Sequence, residues 1–240
     1  MNDAIVIIPT YNEIENIESI IKDVFSQNKV YHILVVDDNS PDNTSQKVKD
    51  LQGEFKGSLF LLQRTGKKGL GSAYLDGFKW ALEKSYDYIF EMDADFSHNP
   101  NDLIKLYEAC SIDGADVAVG SRYVKGITVV NWPISRILLS YGASKYVRMI
   151  TGMKINDSTA GFVCYKRIVL ETINLKKIKF VGYAFQIEMK FKAYKKGFVI
   201  MEIPVIFKDR ILGKSKMSGS IISEAVFGVI SLKLKSLFTR

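Results

Sequence analysis

The chain has 240 residues, of which 47% are hydrophobic and 25% charged, with a formal net charge of +7. That length and apolar content suit one globular α/β domain with a sizeable core and exclude a largely disordered chain. The positive charge favours an anionic partner, whether nucleic acid, lipid surface or phosphorylated substrate, without choosing among them.

The N-terminus runs from Met1-Asn2-Asp3 directly into Ala4 to Ile8, an apolar run closed by Pro9. It is too short for a signal peptide's apolar region and lacks a basic start, so it reads as a buried first strand. Ile33 to Val36, Leu59 to Leu62, Tyr88 to Met92 and Val117 to Gly120 read the same way. Between the strands, Ile14, Ile17, Ile20, Ile21, Val24 and Phe25 recur at helical spacing, and a second helix is predicted from Leu70 to Glu83. This βαβ series predicts a single Rossmann-like domain with a mostly parallel central sheet. The second half predicts a helix from Ile134 to Ile150, a turn from Asp157 to Gly161, a helix from Ala184 to Tyr194 and a strand from Phe198 to Phe207. A polar loop, 209–216, follows. The catalytic domain is expected over 1–217, with a C-terminal amphipathic helix over 218–240. No window approaches the roughly 20 apolar residues of a spanning helix.

Cys110 and Cys164 are the only cysteines and sit in no CxxC or CxxH arrangement, which gives no zinc site or disulfide framework and fits a reducing cytoplasm. Neither His32 nor His98 has a serine or cysteine nucleophile in an elbow or triad pattern, so hydrolase chemistry has no support. His32 reads as structural, and His98 as a neighbour of the acidic loop rather than a ligand.

Parallel sheets bind ligands beyond the carboxyl ends of their strands, and four predicted strand ends here carry polar groups. Asp93 and Asp95 flank one alanine, so in extended backbone both carboxylates face one side. Two carboxylates that close repel unless a cation or proton intervenes. Mg2+ or Mn2+ suits them, with Ser97 as a further oxygen donor. The competing reading has the pair cap the helix that begins near Pro100. Asp37-Asp38 offers a carboxylate to a ribose or base, against an Asx turn within Asp-Asn-Ser-Pro-Asp. Gly66-Lys-Lys-Gly-Leu-Gly71 is neither a Walker loop nor GxGxxG and comes too late in the chain for either. It reads as a glycine-lined helix start beside the strand-end rim, with Arg64 and Lys67 either ligand contacts there or solvated charge. Arg122, Arg136, Arg210 and Lys216 lie singly in or beside loops, without interleaved aromatics, which points to separate phosphate contacts and away from nucleic acid.

Together PTYNE (9–13), VVDDNSPDNT (35–44), GLGSAYLDG (69–77), MDADFSHNP (92–100), GSRYVKG (120–126), DSTAGF (157–162) and DRILGKSK (209–216) resemble the family 2 glycosyltransferases of the GT-A fold, and within them the dolichyl or polyprenyl phosphate mannose synthases. The likeness covers nearly the whole chain. It implies that Pro9, Tyr11, Glu13, Val36 and Asp38 line a nucleoside pocket and that Asp93, Ala94, Asp95 and Ser97 hold diphosphate and metal. It further implies that Arg210 and Lys216 belong to a loop closing over the donor, and that Arg122, Arg136 and Ser140 receive phosphates, the acceptor's included. Asp93, Asp95, Arg122 and Arg210 are the residues expected to carry catalysis. Two departures stand out: Val163 occupies a position often arginine in the family, and the QxxRW segment of processive polysaccharide synthases is missing.

The implied reaction is inverting transfer of mannose from GDP-mannose to dolichyl or polyprenyl phosphate. A polyprenyl phosphate glucosyltransferase, or another lipid phosphate glycosyltransferase using a UDP-sugar, is the nearest alternative. A lipid phosphate is already an anionic nucleophile, so positioning and charge neutralisation are what the enzyme supplies. The acceptor places the protein at a membrane, peripherally on its cytoplasmic face; relatives of this kind commonly carry transmembrane helices after this point or rely on small membrane partners. Ile221, Ile222, Ala225, Val226, Val229, Ile230 and Leu234 recur near helical spacing, which suits either a bilayer surface or the protein's own core.

Overall fold

The computed structural model describes residues 3–182, 184–209 and 219–238. Five strands come from the short apolar runs: β1 (Ala4–Thr10), β2 (His32–Asp37), β3 (Leu59–Gln63), β4 (Tyr88–Glu91) and β5 (Val117–Ser121). They are joined by α1 (Ile17–Phe25), α2 (Thr44–Leu51), α3 (Leu70–Leu82) and α4 (Leu103–Ser111). The second half adds β6 (Val129–Val130), α5 (Ile134–Thr151), β7 (Val163–Lys166), α6 (Arg167–Thr172), α7 (Ala184–Lys195), β8 (Ile200–Pro204), β9 (Phe207–Lys208) and α8 (Gly219–Phe238).

The main sheet has the order β3-β2-β1-β4-β7-β5-β8. All neighbours pair in parallel except β7, which runs antiparallel to both β4 and β5. Apolar side chains on its two faces, such as Val6, Ile8, Val35 and Phe90 on one and Ile5, Ile7, Leu34 and Ile89 on the other, build two clusters under flanking helices. Continuous apolar runs in the sequence are the signature of strands buried on both faces. α3 approaches β1 so closely that a Cβ on Gly77 would lie 2.7 Å from Ile7 Cγ2.

Two expectations need correction. The first helix begins at Ile17 rather than Ile14; the Ile14 N–H is held by the Asp42 carboxylate at 3.1 Å in the loop before it. The strand expected from Phe198 to Phe207 is two strands. β8 ends at Pro204, Val205 N gives a last bond to Ser121 O, and β9 pairs instead with β6 in a separate two-stranded sheet. The main sheet is mostly parallel, as expected, with β7 an antiparallel strand that the sequence did not signal.

α8 packs against α5 and α7, with Val229 buried and Gly228 against the Phe180 ring. Its outer side leaves Phe227, Ile230 and Leu234 exposed. Among the described residues no helix is long and apolar enough to cross a membrane.

Gly77→Ala should lower unfolding stability by about 1–3 kcal/mol through overpacking against Ile7. Urea denaturation checks this, the midpoint falling at unchanged slope.

Candidate active site

Parallel register sets the rim. Pro9 pairs with Val36 and Thr10 with Asp37 across β1 and β2, while Ile7 pairs with Glu91 across β1 and β4. The loops carrying Tyr11, Glu13, Asp38 and Asp93 to Ser97 therefore leave the sheet at one edge. Because β7 runs antiparallel, its start at Val163, opposite both Glu91 and Val119, lies at that same edge. The 157–162 turn is thus delivered beside the end of β5, which carries Ser121 and Arg122.

In the second loop the two readings divide by residue. Asp37 is a turn former: its carboxylate accepts from Thr10 Oγ1, Ser40 N and Ser40 Oγ at 2.6 to 2.9 Å. Asp42 accepts from Ile14 N, Thr44 N and Thr44 Oγ1. Asp38, nearly buried, faces Arg64 Nε at 3.2 Å and accepts from Lys68 N. Burial raises its carboxyl above the ordinary range, partly offset by Arg64. Arg64 also donates to Ser72 Oγ, at the start of α3, so it is neither solvated nor loose. Lys67 lies over the Tyr11 ring, 4.7 Å from its centroid.

The acidic loop is built for something other than capping. Asn99 caps the short 3-10 turn at 100–102, accepting from Asn101 N, so neither aspartate serves as its cap. Asp95 Oδ1 accepts from Ser97 N within the loop, and Asp93 Oδ1 accepts from the Tyr74 hydroxyl at 3.3 Å. Between Asp95 and Ser97, Phe96 is held at a left-handed φ of +60°, unfavourable for a bulky side chain and sustained by packing on the core. The Asp95 side chain is 8% exposed and that of Asp93 35%. Ser97 Oγ is buried with no hydrogen-bond partner. Two carboxylates and an orphaned hydroxyl oxygen are a hard-oxygen donor set, which fits Mg2+ or Mn2+ completed by substrate phosphates. No cluster of three or more acidic, histidine or cysteine ligands occurs among the described residues.

His98 lies against this loop, as expected, and its Nδ1 accepts the Asp93 N–H at 3.0 Å. Its ring is stacked on Phe162 and meets Phe207 edge-on. Burial lowers its pKa to about 4, which keeps the ring neutral and Nδ1 available as an acceptor. His32 bonds the Tyr86 hydroxyl at the amino ends of β2 and β4, the opposite strand ends from the acidic loop.

The structure separates the two arginines expected to receive phosphate. Arg122 is buried and forked on Asp157, with Nε–Oδ2 and Nη2–Oδ1 both at 2.6 Å, and it donates to Thr159 Oγ1 at 2.9 Å. Burial alone would raise the Asp157 carboxyl, but the Arg122 charge and hydrogen bonds outweigh it and hold the carboxyl below the ordinary range. Arg136, on the first turn of α5, is partly exposed and pairs with Asp209 at 2.8 Å. Ser140 follows one turn later on the same face of α5. Arg210 and Lys216 lie outside the described residues.

Sequence reasoning missed the groups behind the site. Glu202 accepts from Ser121 Oγ, Asn156 N and Asp157 N, and Lys190 donates to Ala160 O at 2.6 Å, so both ends of the 157–160 turn are clamped. Beneath the acidic loop, Gln186 links buried Glu91 to buried Lys190. Burial raises the Glu91 carboxyl and lowers the Lys190 amine, a pair that leans towards the neutral forms. Charged residues inside otherwise apolar strands and helices, Glu91 in YIFE and Lys190 in EMKF, were the available signal.

A mixed sheet of this order, with a carboxylate pair beyond its fourth strand, is the GT-A fold of nucleotide-sugar transferases. The chain aligns with glucosyl-3-phosphoglycerate synthase from Mycobacterium tuberculosis, solved with Mn2+, uridine diphosphate and glucosyl-3-phosphoglycerate, at a TM-score of 0.70 and 16% identity over 100% of this chain and 81% of that one. The chain belongs to glycosyl transferase family 2, whose sequence model matches residues 5–173. It is 46% identical over 237 residues to polyprenol monophosphomannose synthase of Mycolicibacterium smegmatis, covering 99% of this chain and 89% of that protein. It is 44% identical to undecaprenyl-phosphate mannosyltransferase of Micrococcus luteus, covering 94% and 92%, and 40% identical to dolichol-phosphate mannosyltransferase of Pyrococcus furiosus, covering 91% and 60%. The protein is therefore a glycosyltransferase.

Asp157→Asn should cost about 3–5 kcal/mol of stability, because it strands a buried guanidinium. The folded carboxyl titrates below its unfolded value, so its contribution is present above the unfolded Asp range and is lost as pH falls through the lowered folded value. Denaturation at neutral pH should show the full gap between variant and parent, and the gap should close only in strong acid.

Proposed function

We propose that the protein transfers mannose from GDP-mannose to a dolichyl or polyprenyl phosphate, inverting the anomeric carbon. The observation that carries this reading is likeness over 91–99% of this chain to three enzymes whose names join mannose to a lipid phosphate, one of them at 46% identity over 99% of the chain. The arrangement of anion-binding groups supports it.

In this reading the nucleoside lies along the loops of Pro9, Tyr11, Glu13, Val36 and Asp38, where Arg64 and Lys68 N hold the Asp38 carboxylate in place. Asp93, Asp95 and Ser97, with Ala94 between, hold Mg2+ or Mn2+ at the diphosphate. The ion, when bound, supplies neutralisation of the charge that develops on the departing nucleoside diphosphate. Arg210 and Lys216 are assigned to the donor side by the family resemblance. Arg122, Arg136 and Ser140 take the acceptor phosphate, and Arg122 enters the reaction already oriented, since Asp157 and Thr159 hold its guanidinium before substrate arrives. The acceptor oxygen is anionic near neutral pH, so it attacks the anomeric carbon as the bond to GDP breaks, and no side chain need remove a proton. A single displacement yields the β-linked mannosyl phosphoryl lipid. His98 serves as a positioning group, fixing the Asp93 backbone from a neutral ring.

The lipid places the work at a membrane surface. On α5 the side chains of Ile134, Leu138 and Met149 are 75%, 66% and 76% exposed, and Phe227 is exposed on the neighbouring α8. Apolar side chains on two packed helices, with Lys145 and Lys233 nearby in sequence, suit insertion at the headgroup boundary. α8 thus contributes one face to the protein's own core, and another is offered to the bilayer. A small membrane-anchoring partner would bind at the same face.

A donor panel containing GDP-mannose, UDP-glucose and other nucleotide sugars, assayed with a polyprenyl phosphate, should give product only or mainly with GDP-mannose; preference for UDP-glucose would overturn the assignment. Asp95→Ala should reduce transfer by about 100- to 1,000-fold, the range of losses seen when a charge-stabilising group is removed, while thermal unfolding stays near the parent. Robust activity would sink the metal role. For the membrane contact, Ile134→Glu with Leu138→Glu should abolish flotation with anionic liposomes at unchanged circular dichroism, and unchanged flotation would reject it.

A further inference from the structure

Between the two arginines assigned to the acceptor lies a side chain that neither motif nor resemblance singled out. Trp132 sits in NWPISR, immediately before α5. The Arg136 guanidinium carbon lies 3.9 Å from the centroid of its indole, and that of Arg122 lies 5.4 Å from the same ring. Two like charges are thus gathered on one aromatic residue. A guanidinium stacked on a ring keeps its plane fixed and its edge N–H groups directed outward, which is the geometry for forking onto an oxyanion. Arg136 already shows this: while stacked, it donates from Nη1 to the Asp209 carboxylate at 2.8 Å. That carboxylate occupies the kind of position an acceptor phosphate oxygen would take.

The indole is itself held from several directions. Asn131 adopts a left-handed φ of +64°, and Pro133, with φ −60° and ψ 144°, starts α5, so the backbone on both sides of Trp132 is fixed. Phe207 of β9 meets the ring edge-on at 5.2 Å, and β9 is tied to β6 in the small second sheet. The Arg122 guanidinium carbon also lies 5.4 Å from both the Tyr123 and Phe207 ring centroids. Packing alone would be served by a purely hydrocarbon ring: the indole Nε1 is buried and makes no hydrogen bond.

Resting on the lipid phosphate reading above, we propose that Trp132 is a positioning residue of the acceptor site, the platform that holds the Arg136 and Arg122 guanidiniums together against their mutual repulsion so that one phosphate meets both. Loss of the ring leaves Arg136 its Asp209 partner but no platform to fix its plane, while Arg122 stays pinned to Asp157. The effect falls on the acceptor and not on the donor, whose loops lie at β1, β2 and β4.

The test uses the full chain with polyprenyl phosphate in vesicles and GDP-mannose. Trp132→Leu should raise the KM for the lipid phosphate by tenfold or more while the KM for GDP-mannose stays within twofold, and Trp132→Phe, which keeps an aromatic platform, should restore most of the loss. Arg136→Ala run alongside separates the two claims. If it raises the acceptor KM and Trp132→Leu does not, or if Trp132→Leu raises both KM values equally, the platform role is overturned and the acceptor reading stands. If Arg136→Ala leaves the acceptor KM unchanged, the acceptor reading falls and takes this inference with it. A direct measurement remains decisive should the leucine variant not fold. The chain has only two tryptophans. Trp80 packs apart from the site on Phe60 and Tyr86. In Trp80→Phe protein, Trp132 emission should therefore shift with vesicles bearing polyprenyl phosphate but not with matched vesicles bearing unphosphorylated polyprenol. The same response to both, or to neither, would overturn the proposal.

Discussion

Arg122 is a full positive charge with little access to water, and the buried fork it makes with Asp157 is the interaction on which the proposed acceptor half of this protein depends. A guanidinium in such a place is tolerated only when a carboxylate meets it in good geometry and the remaining donors find acceptors. Asp157 supplies the fork, and Thr159 takes a further donor. The carboxylate has to be delivered to the same rim as the end of β5. The reversal of β7 does this, since an antiparallel strand in an otherwise parallel sheet begins where its neighbours end. Glu202 and Lys190 then clamp the two ends of the turn. Among the described residues the antiparallel strand β7 and this buried ion pair are thus parts of one arrangement.

The proposed donor half is organised differently. Its carboxylates differ in what they hold. Asp37 and Asp42 spend their oxygens on local N–H and hydroxyl groups and shape the loop. Asp38 faces Arg64 at the rim. The Asp93 to His98 segment combines a strained Phe96, a neutral His98 holding the Asp93 backbone and an orphaned Ser97 hydroxyl. Strain and an unsatisfied buried polar atom both cost stability, and their coincidence in one short segment is what a preorganised cation and diphosphate site would show.

Much of the fold was legible because its strands are buried on both faces. Ala4 to Ile8, Ile33 to Val36 and Val117 to Gly120 have no reason to be continuous apolar runs unless helices cover both sides, and two of the helices between them, α1 and α3, were legible in the sequence. β7 escaped notice because VCYK is four residues long, and its direction is set by the sheet gap it fills rather than by its own composition. The single strand read from Phe198 to Phe207 was divided after Pro204, because the next residues turn to the small sheet, where Phe207 N donates to Thr128 O and Asp209 N to Val130 O.

The sequence by itself determined the sheet's parallel frame, the four polar strand ends and the acidic pair, since period, strand length and i, i+2 geometry are local properties of the chain. It left open whether Asp93 and Asp95 cap a helix, and only the folded structure, with Asn99 in the capping position, decided that. Tertiary structure alone also decided that Arg122 is bound and Arg136 is half open, that Trp132 lies between them, and that α8 packs on α5 and α7 while still exposing an apolar side. These facts depend on residues such as Arg122 and Asp157, 35 positions apart. No periodicity or motif encodes a contact of that range; it exists only once the strands have chosen their order.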